Sequence, residues 1–152
     1  MKYWLLKSEP DVFGIDDLAA APNRTEHWDG VRNYQARNFM RDEMREGDRA
    51  FFYHSSCAEP GIVGIVEIVR EAYPDETALD PNSRYYDPKS AEDSPRWFMV
   101  DVQFLRKFRR TISLKELKAH PGLKAMQLLQ RGNRLSVMKV TASQWDKICA
   151  ME

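Results

Sequence analysis

Arg49-Ala50-Phe51-Phe52-Tyr53-His54-Ser55 and, after a short polar break, Gly61-Ile62-Val63-Gly64-Ile65-Val66-Glu67-Ile68-Val69-Arg70-Glu71-Ala72 read as two consecutive strands. Ile62–Val69 is apolar enough to be buried on both faces. Upstream, Tyr3–Ser8 is short, aromatic and β-prone, and Pro10 stops it. Downstream, Arg96–Phe108 reads as a long, bent strand and Leu135–Val140 as a last one. Helices are expected early and late. Gly14–Ala21 is one, and Asn33 is the N-cap of a second over Tyr34–Met44. Ser113 with Glu116 makes a capping box, Pro121 opens a helix ending near Gly132, and Thr141 with Gln144 caps a terminal helix. Asn23–Arg32 is expected to be irregular. Helices do not alternate strictly with strands, which argues against a doubly wound parallel sheet. The expected fold is α+β, mainly β: a small curled barrel of mostly antiparallel strands with peripheral helices.

A chain of 152 residues suits one domain, 1–152, with a real core. It is 43% hydrophobic and 30% charged, so disorder is excluded as its main description. No apolar run approaches the ~18–20 residues of a membrane span. No signal peptide is evident, and the two cysteines, Cys57 and Cys149, form no CxxC. A cytoplasmic location with two free thiols is expected. Charge is neutral overall but segregated: residues 1–104 carry a net −8 and residues 105–152 a net +8. The basic segment is either a phosphate-facing surface or the complement of acids elsewhere in the fold. Zero net charge implies few phosphate contacts with any nucleic acid.

Enzymatic signatures are weak. His54-Ser55-Ser56-Cys57 puts a base near hydroxyls and a thiol, so an enzyme acting on nucleic acid through His54 with Ser55 or Cys57 is an alternative reading. Neighbours on a strand point to opposite faces, however. His27, His54, His120 and Cys57 match no metal-ligand spacing, and no phosphate-cradling glycine motif occurs, so no metal or cofactor is expected. Residues 73–96 are polar, Pro-rich and long for a loop, with Tyr85-Tyr86 inside. Trp28 lies in a polar loop with Asp29, Gly30, Arg32 and Asn33, where its ring can be held without belonging to the core. Trp4 and Trp97, in strands, default to core. An aromatic face, an amide that reads a polar edge and a guanidinium that steadies phosphate together make a base-recognition kit.

These residues resemble the EVE domain family, within the PUA-like superfamily. The resemblance runs through Tyr3-Trp4-Leu5-Leu6-Lys7-Ser8-Glu9-Pro10, Trp28-Asp29-Gly30-Val31-Arg32-Asn33-Tyr34 and Phe52-Tyr53-His54-Ser55. It continues in Gly61-Ile62-Val63-Gly64, Tyr85-Tyr86-Asp87-Pro88-Lys89, Pro95-Arg96-Trp97 and Arg131-Gly132-Asn133-Arg134-Leu135-Ser136-Val137. It implies a PUA-like β-barrel, similar in fold to YTH domains, and a non-enzymatic pocket for a modified base: a modified cytosine in DNA or a modified base in RNA. A peptide or small-molecule interaction module is a further alternative. The implied pocket draws on Lys7, Ser8, Glu9, Pro10, Trp28, Asn33, Tyr53, His54, Ser55, Tyr86, Trp97 and Ser136, with Tyr85, Tyr86 or Trp97 as the second aromatic wall. Arg32 and Arg134 are the expected phosphate contacts, Arg134 from its place between a helix end and the last strand. The expected partner is nucleic acid carrying a modified base, single-stranded or flipped out, with no membrane and no metal.

Overall fold

The computed structural model describes residues 1–152. Six strands form one sheet: β1 (Tyr3–Ser8), β2 (Thr25–His27), β3 (Arg49–His54), β4 (Gly61–Pro74), β5 (Phe98–Ser113) and β6 (Val137–Val140). Their order is β2-β5-β4-β3-β1-β6. β1 runs parallel to β3, and every other pair is antiparallel. The architecture is therefore α+β, with the expected mixture. The expected barrel is corrected: β2 and β6 are free edges, so the sheet curls but does not close. Repeated register shifts along β4 and β5 do the curling, because each bulge bends and twists its strand.

Helices cover the sheet. α1 (Pro10–Phe13) and α2 (Ile15–Ala20) follow β1, α3 (Tyr34–Asn38) runs into a wide turn at Phe39–Glu43, α4 (Leu114–Ala119) follows β5, and α5 (Ala142–Met151) ends the chain. Both capping boxes form: the Ser113 and Thr141 hydroxyls accept from the N–H groups of Glu116 and Gln144. Pro10 thus opens a helix as well as ending a strand, since its fixed φ suits a first turn. The irregular Asn23–Arg32 contains edge strand β2, too short to leave a period. The helix expected from Pro121 is two 3-10 turns, Pro121–Leu123 and Gln127–Leu129. The reason is burial. Leu123, Met126 and Leu128 are all buried, yet residues two apart on an α-helix point about 200° apart. Extended backbone at Met126 lets all three face the core.

Trp4, Leu5, Phe51, Phe52, Ile62 and Ile68 are fully buried at the heart of the sheet. Asp48, also buried, accepts from the Trp4 indole (3.0 Å) and from the N–H groups of Lys2 and Arg45. Part of the basic segment is paired at the surface: Lys107 pairs with Asp16, Arg106 with Glu152, Arg110 with Glu116 and Lys139 with Glu43. No helix is long and apolar enough to cross a membrane.

Candidate nucleic-acid interface

Parallel pairing of β1 with β3 brings two strand ends to one rim of the sheet. The Ser55 N–H donates to the Ser8 carbonyl (3.0 Å), and the Lys7 N–H donates to the Ser136 carbonyl (2.9 Å). A cavity of about 580 Å³ opens at this rim, a volume ordinary for a small-molecule site. Lys7 and Ser8 border it from β1, and Glu9 and Ser55 from just past the ends of β1 and β3. Trp28–Val31 border it from the loop after β2, and Arg84 with Tyr85 from the long polar segment. Arg134 and Ser136 close the side before β6.

Trp28 is held from below. Its N–H donates to the Val100 carbonyl (2.7 Å), and its ring meets Phe52 (5.4 Å, 89°) and Phe13 (6.4 Å, 78°) at steep angles. Only 7% of the residue is exposed, so the expectation that it lies outside the core is corrected. The turn at Pro10 folds Phe13 back under the indole, which makes Trp28 both core and cavity wall.

Tyr85 also borders the cavity. At Gly30, φ is +78°, and a methyl there would fall 2.5 Å from Tyr85 Cζ. The phenol ring therefore lies against the glycine. Buried Asp75 fixes this arrangement: its Oδ2 accepts from the Gly30 N–H (2.9 Å) and from Arg32 Nη1 (3.1 Å). Arg32 in turn donates to the Tyr85 carbonyl through Nε (3.1 Å) and Nη2 (2.7 Å). Burial pushes the Asp75 carboxyl up, but hydrogen bonds from Thr77, Gly30 and Arg32 outweigh it and hold the group below the usual carboxylate range. Arg32, expected to meet phosphate, instead faces inward as the partner of this acid, since a buried carboxylate must be paired.

Six further expected residues sit outside the cavity lining. The Asn33 side chain accepts from the Ala36 N–H and caps α3, so its amide does not border the cavity. Trp97 is buried, donates to Asp87 (2.7 Å) and stacks on Tyr34. Tyr86 points to solvent. Pro10 starts α1 outside the cavity lining. Tyr53 is buried with its ring under the Lys7 ammonium, 5.7 Å away. His54 Nε2 accepts from the Ile15 N–H (3.1 Å), and burial holds the imidazole below its ordinary value. Its lone pair is thus occupied, and no hydrogen bond joins it to Ser55 or Cys57.

The cavity is bipolar. Lys7, Arg84 and Arg134 offer N–H donors, while Glu9, Glu26 and Asp29 offer carboxylate oxygens. Burial lowers the Lys7 pKa. Burial, then the charge of Asp75, raises that of Asp29. A flat ligand edge carrying both donors and acceptors suits such a lining. Sequence reasoning missed Asp29, Arg84 and the Asp75 hub; a glycine in the Trp28 loop was the readable sign of a special backbone or close approach there.

The EVE domain profile matches residues 2–151. This chain belongs to the EVE domain family. That family lies within the PUA-like superfamily. Rat thymocyte nuclear protein 1 is 52% identical over 167 residues, spanning 99% of this chain and 73% of the relative. The human thymocyte nuclear protein 1 is 50% identical with the same coverage. Among solved EVE-like structures, the human THYN1 protein in complex with 5-methylcytosine-containing DNA superimposes with a TM-score of 0.95. It is 48% identical and covers 99% of this chain and 97% of that one. A protein from Pseudomonas syringae superimposes at 0.94 with 54% identity, covering 98% of each chain. The two solved structures share the fold over nearly the whole of this chain.

Proposed function

We propose that this chain is a non-enzymatic reader of modified cytosine in DNA, with the base turned out of the strand into the cavity between Trp28 and Tyr85. The observation that carries the reading is the human relative's complex with 5-methylcytosine-containing DNA, on a chain of near-identical fold. The cavity supports it chemically. A carboxylate can accept from the cytosine N4 amine, and a cation can donate to ring acceptors. Asp29 and Lys7 take these roles, while Arg84 and Arg134 steady phosphate. The base leaves its stack at a cost of a few kcal/mol, offset by ring contacts on the cavity walls. His54 is an acceptor for α2 rather than a base, which favours binding over catalysis. Two free cysteines, Cys57 and Cys149, fit a reducing cytoplasm.

The test is a fluorescence-anisotropy competition among two short DNA strands that differ at one position, cytosine or 5-methylcytosine, and an RNA strand of the same sequence with 5-methylcytosine. The methylated DNA should bind tightest, and mass spectrometry should find every strand unchanged afterwards. Equal affinity for cytosine and 5-methylcytosine would refute the reading. Preference for the RNA strand would move the polymer, and conversion of a strand lost on His54→Ala would favour an enzyme.

A further inference from the structure

Beyond the cavity runs a line of alternating cations and rings. The Arg84 guanidinium lies 5.2 Å from the Tyr85 ring at the cavity lip. Arg32 lies 5.5 Å from the same ring and 5.3 Å from Trp97. Trp97 stacks on Tyr34 with centroids 4.8 Å apart and planes 20° apart, and Arg37 lies 4.7 Å from Tyr34. The line surfaces at Tyr34. This ring is 50% exposed in a chain whose large apolar side chains are mostly buried. Two groups brace the exposed end: Arg96 Nη1 is 3.4 Å from the Tyr34 hydroxyl, and Arg37 donates to the Arg96 carbonyl (3.0 Å).

We propose that Tyr34, Arg37 and Arg96 form a second contact surface, which holds the DNA segment flanking the captured base. The proposal rests on the cavity reading above for where the strand enters. Tyr34 lies two packed side chains, Arg32 and Trp97, beyond the wall at Tyr85. A base in the cavity does not reach it, and a neighbouring nucleotide does. The charge is available: Arg37, Arg84 and Arg96 form no ion pair, unlike Arg106, Lys107 and Arg110 of β5, which are engaged with Glu152, Asp16 and Glu116. Asp87, the acid beside Trp97, already accepts from the Trp97 indole and the Lys89 N–H. Rings flanked by guanidinium groups without an ion pair, Arg84 at one end and Arg37 and Arg96 at the other, suit a single strand: bases stack on exposed rings and phosphates meet the cations. A peptide has no comparable reason to follow the line into the cavity.

The experiment compares Tyr34→Ala and Arg96→Glu with the unaltered chain, after thermal unfolding has shown which variants are folded. Arg96→Glu keeps the test alive if Tyr34→Ala, which uncovers Trp97, does not fold. The probes titrated are 5-methyldeoxycytidine monophosphate and a short single strand with a central 5-methylcytosine or, in a matched strand, cytosine. All are followed by amide chemical shifts, with affinities from anisotropy for the strands. The monophosphate should move cavity amides and bind both variants as it binds the parent. The strand should also move the amides around Tyr34 and Arg96. It should lose about fivefold or more in each variant, alike for cytosine and 5-methylcytosine. Strand affinities unchanged in the folded variants overturn the surface, whatever the cavity does. Strand losses with no monophosphate shift at the cavity support the surface and overturn the cavity reading.

Discussion

Gly30→Ala isolates the wall contact, because the fold supplies its own control. Gly30 and Gly47 both have left-handed backbone, with φ of +78° and +93°. A Cβ in that region costs about 1–2 kcal/mol at either position. In a chain of this size that lowers the melting temperature by about 2–8 °C. The positions then diverge. Nothing lies within 4 Å of a methyl at Gly47, whereas at Gly30 it falls 2.5 Å from Tyr85 Cζ. Ordinary contact begins near 3.4 Å, so the phenol must retreat by nearly an ångström. The Tyr85 backbone cannot follow, because Arg32 holds its carbonyl with two hydrogen bonds. The ring therefore swings off the wall. Losing a stacking face worth about 1–3 kcal/mol weakens binding of a methylated strand by about 5- to 150-fold. Gly47→Ala should bind as the parent does. Adding Tyr85→Ala to Gly30→Ala should bring the melting temperature back to that of Gly47→Ala without restoring affinity. Thermal unfolding and anisotropy on these variants decide the matter. Full-strength binding by Gly30→Ala refutes the wall, and so does an equal binding loss in Gly47→Ala.

Other variants test the remaining assignments. Trp28→Ala should destabilise by about 3–5 kcal/mol, as a buried ring removed from Phe13 and Phe52 does, and thermal unfolding should place it near Trp4→Ala. A melting temperature close to the parent's would return Trp28 to the surface. Arg32→Met should cost more than the ~1 kcal/mol of an exposed pair, because it strands buried Asp75. Arg134→Glu should leave stability unchanged and weaken modified and unmodified strands alike in anisotropy titrations. His54 is held below its ordinary pKa by burial, so the folded state binds that proton less readily than the unfolded chain. Its contribution to stability is complete above about pH 6.5 and fades as pH falls toward the folded value. The melting temperature of the parent should therefore drop more on acidification than that of His54→Gln, whose amide oxygen accepts from Ile15 without titrating.

What was legible in the sequence was periodic or local. Strands β3 and β4 announced themselves through long apolar runs. The capping boxes at Ser113 and Thr141 were local patterns that tertiary packing had no reason to override. The helix at Pro121 failed because periodicity alone does not reveal that Met126 and Leu128 must face the same core. Strand β2, at three residues, is set entirely by its pairing with β5. The rim residues Lys7, Ser8, Glu9, Ser55 and Ser136 were found through the resemblance to the EVE family; by pattern alone Lys7–Glu9 reads as a solvated turn at a strand end.

The reading of Arg32 shows where such inference stops. A guanidinium beside a Trp in a polar loop is as fit for phosphate as for a carboxylate, and nothing within the loop decides between them. The deciding residue is Asp75, which follows Arg32 by 43 positions and sits in a segment with no period of its own. Once Asp75 is buried, its charge requires a partner, and Arg32 is the cation within reach. That pairing turns Arg32 away from solvent and makes it the clamp on the Tyr85 carbonyl. The loop glycine then gains its meaning, because the clamp sets Tyr85 against Gly30. One buried acid thus converts an apparent ligand contact into the support of a cavity wall. A side chain free to meet phosphate must be one the fold leaves without an ion pair, and the cavity cations of that kind are Lys7, Arg84 and Arg134.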